Sequence, residues 1–220
     1  MPAPPPPSDG RAPAVSAPPV RERVLCFAAG THIGTAQGET PVEALRPGDL
    51  VMTVHGGPLL QPLVWVGRME VDVSRLRNRA AIAPILIRAG ALGSDLPRRD
   101  LRVSPNHALF LGGRLVPAGL LVNGTSIIQE GWCRHVSYHH IELAEHGLVL
   151  AEGAVSETYL DAGNRYLFDN AAIAPIAVDF GAHRTLRRSS ASPCAPLLAE
   201  GDPALAIIRR RLPDGLRTTG

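Results

Sequence analysis

From residue 50 to residue 143, short apolar runs alternate with Gly, Pro and Asn-Gly turns. Runs this short give a helix no room to nucleate and propagate, but they suit strands bounded by tight turns. The spacing predicts strands over 50–54, 63–66, 85–88 and 101–103, with a turn at Gly56-Gly57-Pro58. Segments 108–111 and 114–116, joined by Gly112-Gly113, read as a hairpin. Asn123-Gly124 is a second turn and leads into 125–129, and segment 134–143 alternates with period two. The expected body is all-β.

Two short helical features interrupt this pattern. Thr40-Pro41-Val42-Glu43 has the form of a capping box with Pro at the first helical position, predicting a helical turn over about 41–46. Arg46-Pro47-Gly48-Asp49 then stops it. Asp202-Pro203, followed by Ala-Leu-Ala-Ile-Ile-Arg-Arg-Arg-Leu, predicts a capped amphipathic helix over about 203–212. Residues 1–23 form a Pro-rich leader expected to be disordered, residues 24–165 the β body, and residues 166–220 a C-terminal extension.

Composition limits the chemistry. With 45% hydrophobic but only 4% aromatic residues, the core must be built mostly of Val, Leu, Ile and Ala. The chain of 220 residues contains no lysine, so every permanent cation is Arg and no lysine serves as a base or Schiff-base nucleophile. A net charge of +2 argues against nucleic acid as a partner, and Arg184, Arg187, Arg188, Arg209, Arg210, Arg211 and Arg217 in the tail read as a solvated basic face. Cys26, Cys133 and Cys194 are odd in number and form no Cys-x-x-Cys pair, which fits a reducing compartment better than a disulfide framework. No apolar run is long enough to span a membrane, and the leader lacks the apolar stretch of a signal peptide. The cytoplasm is the default expectation.

Cys26 stands where the leader gives way to the β body, in Val-Leu-Cys-Phe-Ala-Ala-Gly-Thr (24–31). A free cysteine is ordinarily a small buried hydrophobe. Here its Sγ is also placed to close a five-membered ring on the Leu25 carbonyl, an N-to-S acyl shift that yields a thioester. The amide is the more stable form. The shift therefore needs strain, a donor for the carbonyl oxygen and an acid for the departing amine. Val-Ser-Pro-Asn-His (103–107) supplies candidates. Pro105 keeps Ser104 out of the helical region, so the Ser104 and His107 side chains can converge across a turn. The His107 imidazole can protonate the amine, and the Ser104 hydroxyl can hold either that imidazole or the backbone.

A third cluster runs Tyr-His-His-Ile-Glu-Leu (138–143), then His146. On a strand, Tyr138, His140 and Glu142 share one face, and His140 can pair with Glu142 or simply belong to a polar outer face. Cys133, His135, His139, His140 and His146 are dense in potential ligands but match no paired zinc spacing, so neither a metal nor any other cofactor is expected. Cys194 lies in a Ser/Pro/Ala loop and reads as incidental.

Several of these motifs together resemble the Hint (Hedgehog/intein) family, in its bacterial branch. They are Cys-Phe-x-x-Gly-Thr-x-Ile (26–33), Gly-Glu-Thr-Pro-Val-Glu-Ala-Leu-Arg-Pro-Gly-Asp (38–49) and Val-Ser-Pro-Asn-His-Ala-Leu (103–109). Segments 138–146 and 151–161 are similar to the family's late-histidine block and closing strand. The resemblance implies an all-β, compact, horseshoe-like fold with pseudo-twofold duplication, plus the short C-terminal helix. It implies Cys26 as nucleophile, His107 as acid, Ser104 in the place of an assisting Thr, and His140 or His146 as the late polar group. Inteins that splice end in His-Asn followed by Cys, Ser or Thr, and this chain has no such triplet. The implied chemistry is single-turnover self-cleavage of the chain's own N-terminal segment, with water or a small nucleophile resolving the thioester. Nothing in the sequence indicates a sterol site. Two other readings are a catalytically inactive Hint-fold binding or scaffold module and a metal-dependent β protein built on residues 133–146.

Overall fold

The residues that cut the sequence into short runs also end its strands. The computed structural model describes residues 25–55, 59–160, 165–171 and 193–213. In chain order the strands are β1 (Phe27–Ala28), β2 (His32–Thr35), β3 (Gly38–Pro41), β4 (Leu50–His55), β5 (Leu60–Pro62), β6 (Trp65–Asp72) and β7 (Ile85–Ile87). They continue as β8 (Leu101–Val103), β9 (Ala108–Leu111), β10 (Arg114–Pro117), β11 (Ile127–Gln129), β12 (His135–Glu142), β13 (Leu148–Ala151) and β14 (Ala154–Glu157). Among the described residues one α-helix, α1 (Pro203–Arg211), follows.

The strands pair antiparallel in two sheets. One has six strands in the order β11-β7-β8-β1-β12-β6. The other has eight, running β10-β9-β14-β13-β2-β4-β5 with β3 against β2. The hairpin of β9 and β10 turns through Gly112 and Gly113, both at positive φ, as a two-residue turn of the right twist requires.

The core is aliphatic where the composition requires it to be. One cluster joins Phe27, Ile33, Leu63, Ile85, Leu101, Leu109 and Ile141, and a second gathers Cys26, Trp65, Tyr138, Tyr159 and Phe168. Successive residues of β1 face opposite ways, so Cys26 and Ala28 enter the second cluster while Phe27 enters the first. Cys26 thus lies on the divide between two cores.

Four expectations are corrected. The helical turn over 41–46 is only a 3₁₀ turn at Val42–Ala44, and no capping box forms. Thr40 is held in β3, and the Glu43 carboxylate instead accepts the Gly30 amide at 2.8 Å. The strand expected over 63–66 is the eight-residue β6, because outward-facing Arg68 and Glu70 hid its alternation. Segment 134–143 forms β12, but Tyr138, His139, His140 and Ile141 are all buried, so it has no polar outer face there. Lastly, Glu142 does not pair with His140, since its carboxylate binds the Arg165 guanidinium.

Helix α1 forms as expected, with the Asp202 carboxylate accepting the Ala204 amide at 2.8 Å. Leu205 and Ile208 join the larger core, while Arg209 donates to the Leu120 carbonyl at 2.7 Å. Among the described residues no helix is long and apolar enough to cross a membrane. The leader, the turn at 56–58, and Arg184, Arg187, Arg188 and Arg217 lie outside the described residues.

Candidate functional site

Strand β1 is two residues long and sits between β8 and β12, with Phe27 opposite Val103 on one side and His139 on the other. This places Cys26, the residue just before β1, against the end of β8. There the two backbones lock together. The Cys26 amide donates to Ser104 Oγ at 2.8 Å, and the Ser104 amide donates to the Cys26 carbonyl at 2.9 Å. Of the two roles open to the Ser104 hydroxyl, it takes the backbone one. The nitrogen it holds is that of the Leu25–Cys26 peptide bond.

Ser104 through His107 forms the expected turn, closed by the His107 amide on the Ser104 carbonyl at 3.1 Å. The His107 ring is fully buried and packs on Phe27 with centroids 4.3 Å apart. His140, from β12, follows at 5.6 Å from His107, and Tyr159 lies 5.3 Å from His140. The stack draws on four separate strands and turns, and Phe27 and Tyr159 are members that sequence reasoning missed. Phe27 was visible inside the Cys-Phe motif. Tyr159 was not, because only its contact across the sheet marks it.

Both nitrogens of His107 and Nε2 of His140 are buried without a hydrogen-bond partner. Burial, followed by repulsion from His146, holds the His107 pKa down to about 3. Burial, with His107 and His146 beside it, lowers that of His140 well below the ordinary imidazole value. Burial also pushes the Cys26 thiol well up. Thiol and imidazoles are therefore neutral at pH 7, and the site holds no preformed ion pair.

That neutrality has a measurable consequence. The folded pKa of His107 lies below its unfolded value, so between pH 6.5 and about 3 the unfolded chain binds the additional proton. Stability is expected to fall on acidification through that window, by up to about 1.4 kcal/mol per pH unit from this one residue. Urea unfolding at pH 7.5 and pH 5 reads it, and His107→Gln should flatten the slope. An unchanged slope would mean that the imidazole protonates freely in the fold.

His146 does not join the stack. Its ring lies between Glu157 of β14 and Cys194, with Nδ1 accepting the Cys194 amide at 2.9 Å. Of the two late histidines, only His140 touches the residues around Cys26. Glu157 in turn accepts the Ala108 amide at 2.7 Å and so fixes the chain immediately after His107.

A cleft of about 560 Å³ opens beside β1, lined by Ala29, Glu43, Arg46, Trp65, Arg68 and His139. Cys26 and His107 are not part of its wall. Trp65 carries the Arg165 guanidinium over its indole at 4.4 Å. Among the described residues no three His, Cys, Asp or Glu side chains converge as metal ligands. Cys133 spends its thiol on the His135 carbonyl at 3.2 Å, and His139 and His140 leave β12 on opposite faces.

Several solved structures are similar to this chain. A bacterial intein-like domain from Clostridium thermocellum shares 12% identity over 62% of this chain and all of its own length, with a TM-score of 0.39. The MchDnaB-1 intein shares 14% over 60% of this chain and 99% of its own, at a TM-score of 0.42. The gp41-1 intein shares 12% over 60% and 96%, at 0.35. No curated protein matches the chain. Residues 25–163 match the Hint domain, a span that begins one residue before Cys26 and takes in both sheets. The chain belongs to the Hint-domain family, and its all-β body is a Hint fold.

Proposed function

We propose that this domain performs an N-to-S acyl shift at Leu25–Cys26 and releases the segment before Cys26 through a thioester, without splicing. The observation that carries the reading is the double hydrogen bond between Cys26 and Ser104, which fixes the peptide nitrogen beside the turn bearing His107. Sγ attacks the Leu25 carbonyl carbon as His107 takes the thiol proton. An imidazole whose neutral form is favoured this strongly is a poor base but, once charged, a strong acid. It passes the proton on to the nitrogen as the C–N bond breaks. Ser104 Oγ then accepts from the new amine, and water or a small nucleophile takes the acyl group from Sγ. Because no His-Asn followed by Cys, Ser or Thr occurs in the sequence, the proposed reaction stops at cleavage.

A second reading is a Hint-fold module that binds or scaffolds without reacting. The full burial and neutrality of both Cys26 and His107 favour it, because neither group is activated at rest. One measurement separates the two. The full chain with an N-terminal tag is followed by intact mass with and without hydroxylamine. The acyl-shift reading expects loss of the tag with residues 1–25, slowed about a hundredfold in His107→Ala. A full-length chain that hydroxylamine leaves uncut supports the inert module.

A further inference from the structure

Cys194, His146 and Glu157 form a cluster apart from the Cys26 site. They come from three places in the chain: the stretch before α1, the loop after β12, and the end of β14. The His146 side chain is 2% accessible and that of Glu157 is 6% accessible, whereas Cys194 is partly exposed. His146 Nε2 has no hydrogen-bond partner and lies 3.6 Å from Glu157 Oε2, an ion-pair distance longer than a hydrogen bond. The amide bond to Nδ1 places the Cys194 side chain next to the ring. Cys194, with Phe110, Val155 and Ala195, packs against the buried apolar cluster of Ala108, Leu115 and Leu148.

We propose that these three residues form a thiol-exchange site, which takes a low-molecular-weight disulfide and becomes reversibly S-thiolated at Cys194. A buried imidazole backed by a buried carboxylate, beside a partly exposed thiol, is the arrangement that activates cysteine. Burial opposes charge on His146, but Cys194 and Glu157 favour it, and its pKa is raised to about 9. The two forms of the ring use Nδ1 differently. Neutral, it accepts the Cys194 amide. Charged, it must donate, and the sulfur of the same residue is the acceptor at hand.

The exchange balances without an outside oxidant. In the neutral form of the ring, Sγ gives its proton to Nδ1 and attacks one sulfur of the disulfide R–S–S–R. The Sγ–S bond forms as the S–S bond breaks, and the departing thiolate takes the proton from the imidazolium and leaves as R–SH. This chemistry needs only a nucleophile, a base and access, and apolar neighbours suit a soft sulfur reagent. The other two cysteines lack these conditions, since Cys26 is fully buried and Cys133 donates to a carbonyl.

Oxidised glutathione, added to the full chain, tests the site. Cleavage after Arg23, Arg114 and Arg188 places the three cysteines in separate peptides, so each rate is read in the same sample. The adduct should build on Cys194 about tenfold faster than on Cys133. His146→Gln should remove that advantage, and Glu157→Gln, which can still accept the Ala108 amide, should reduce it. An unchanged Cys133 rate in each variant reports an intact fold. Equal rates at Cys194 and Cys133 in the unsubstituted chain, or an advantage that survives His146→Gln, would overturn the proposal.

Discussion

Alanine at position 26 is expected to leave the chain folded and to abolish cleavage at residue 25. In the proposed acyl shift the thiol closes a five-membered ring on the Leu25 carbonyl, and a methyl group has no lone pair with which to do so. The substitution removes a single sulfur from a cluster that includes Ala28 and Tyr138, a cavity cost of about 1 kcal/mol. The Ser104 hydrogen bonds use backbone atoms of Cys26 and survive the change. Intact mass of the tagged protein reads the reaction, and circular dichroism reads the fold. Cys26→Ser keeps the ring size with a weaker nucleophile and should cleave far more slowly than the thiol form. Cleavage that persists in Cys26→Ala would identify ordinary proteolysis of the preceding segment and remove the acyl shift from consideration.

The largest loss of stability is expected from a methyl group at Gly67. On β6 the Trp65 indole occupies the space beside this residue. A Cβ there would meet Trp65 Cη2 at 2.1 Å, Cζ3 at 2.6 Å and Phe168 Cδ1 at 2.7 Å. None of these atoms can yield easily. The indole is edge-on to Phe168, tilted against Tyr159, and covered by Arg165, which Glu142 holds. Overpacking of this kind costs about 3 kcal/mol. In a domain of this size that lowers the melting temperature by roughly 10 °C. Gly67 also stands opposite His140 in the β6–β12 register, so the strain enters the histidine stack and should slow cleavage as well. Gly131→Ala, where an added Cβ meets nothing within 4 Å, is the control. A melting temperature for Gly67→Ala equal to that control would show that the indole can move.

Sequence legibility followed the range of the interactions involved. Strands β8 and β9 appear at the residues their flanking turns dictate, because a Pro or Gly ends the ladder locally. The approach of Ser104 to Cys26 was legible from what the acyl shift requires and from the family motif, since 78 residues separate the two and no local pattern encodes the contact. The pairing of Glu142 was misjudged for the same reason. Period-two alternation shows which residues share a face, but Arg165 arrives from another part of the chain and offers a permanent charge that His140 lacks. His146 and Cys194 lie 48 residues apart, and neither has a neighbour in sequence that announces the other. Burial on both faces of β12 was hidden as well, because histidines read as polar until their surroundings are known.

Strand β1 is the shortest in its sheet, yet in the order β11-β7-β8-β1-β12-β6 it is the seam between two halves. All of its pairing lies on the C-terminal side of Leu25–Cys26. A cut at that bond severs no rung of the ladder. The domain that remains keeps its seam and both sheets, so a single chemical event would leave behind an intact fold rather than a spent one.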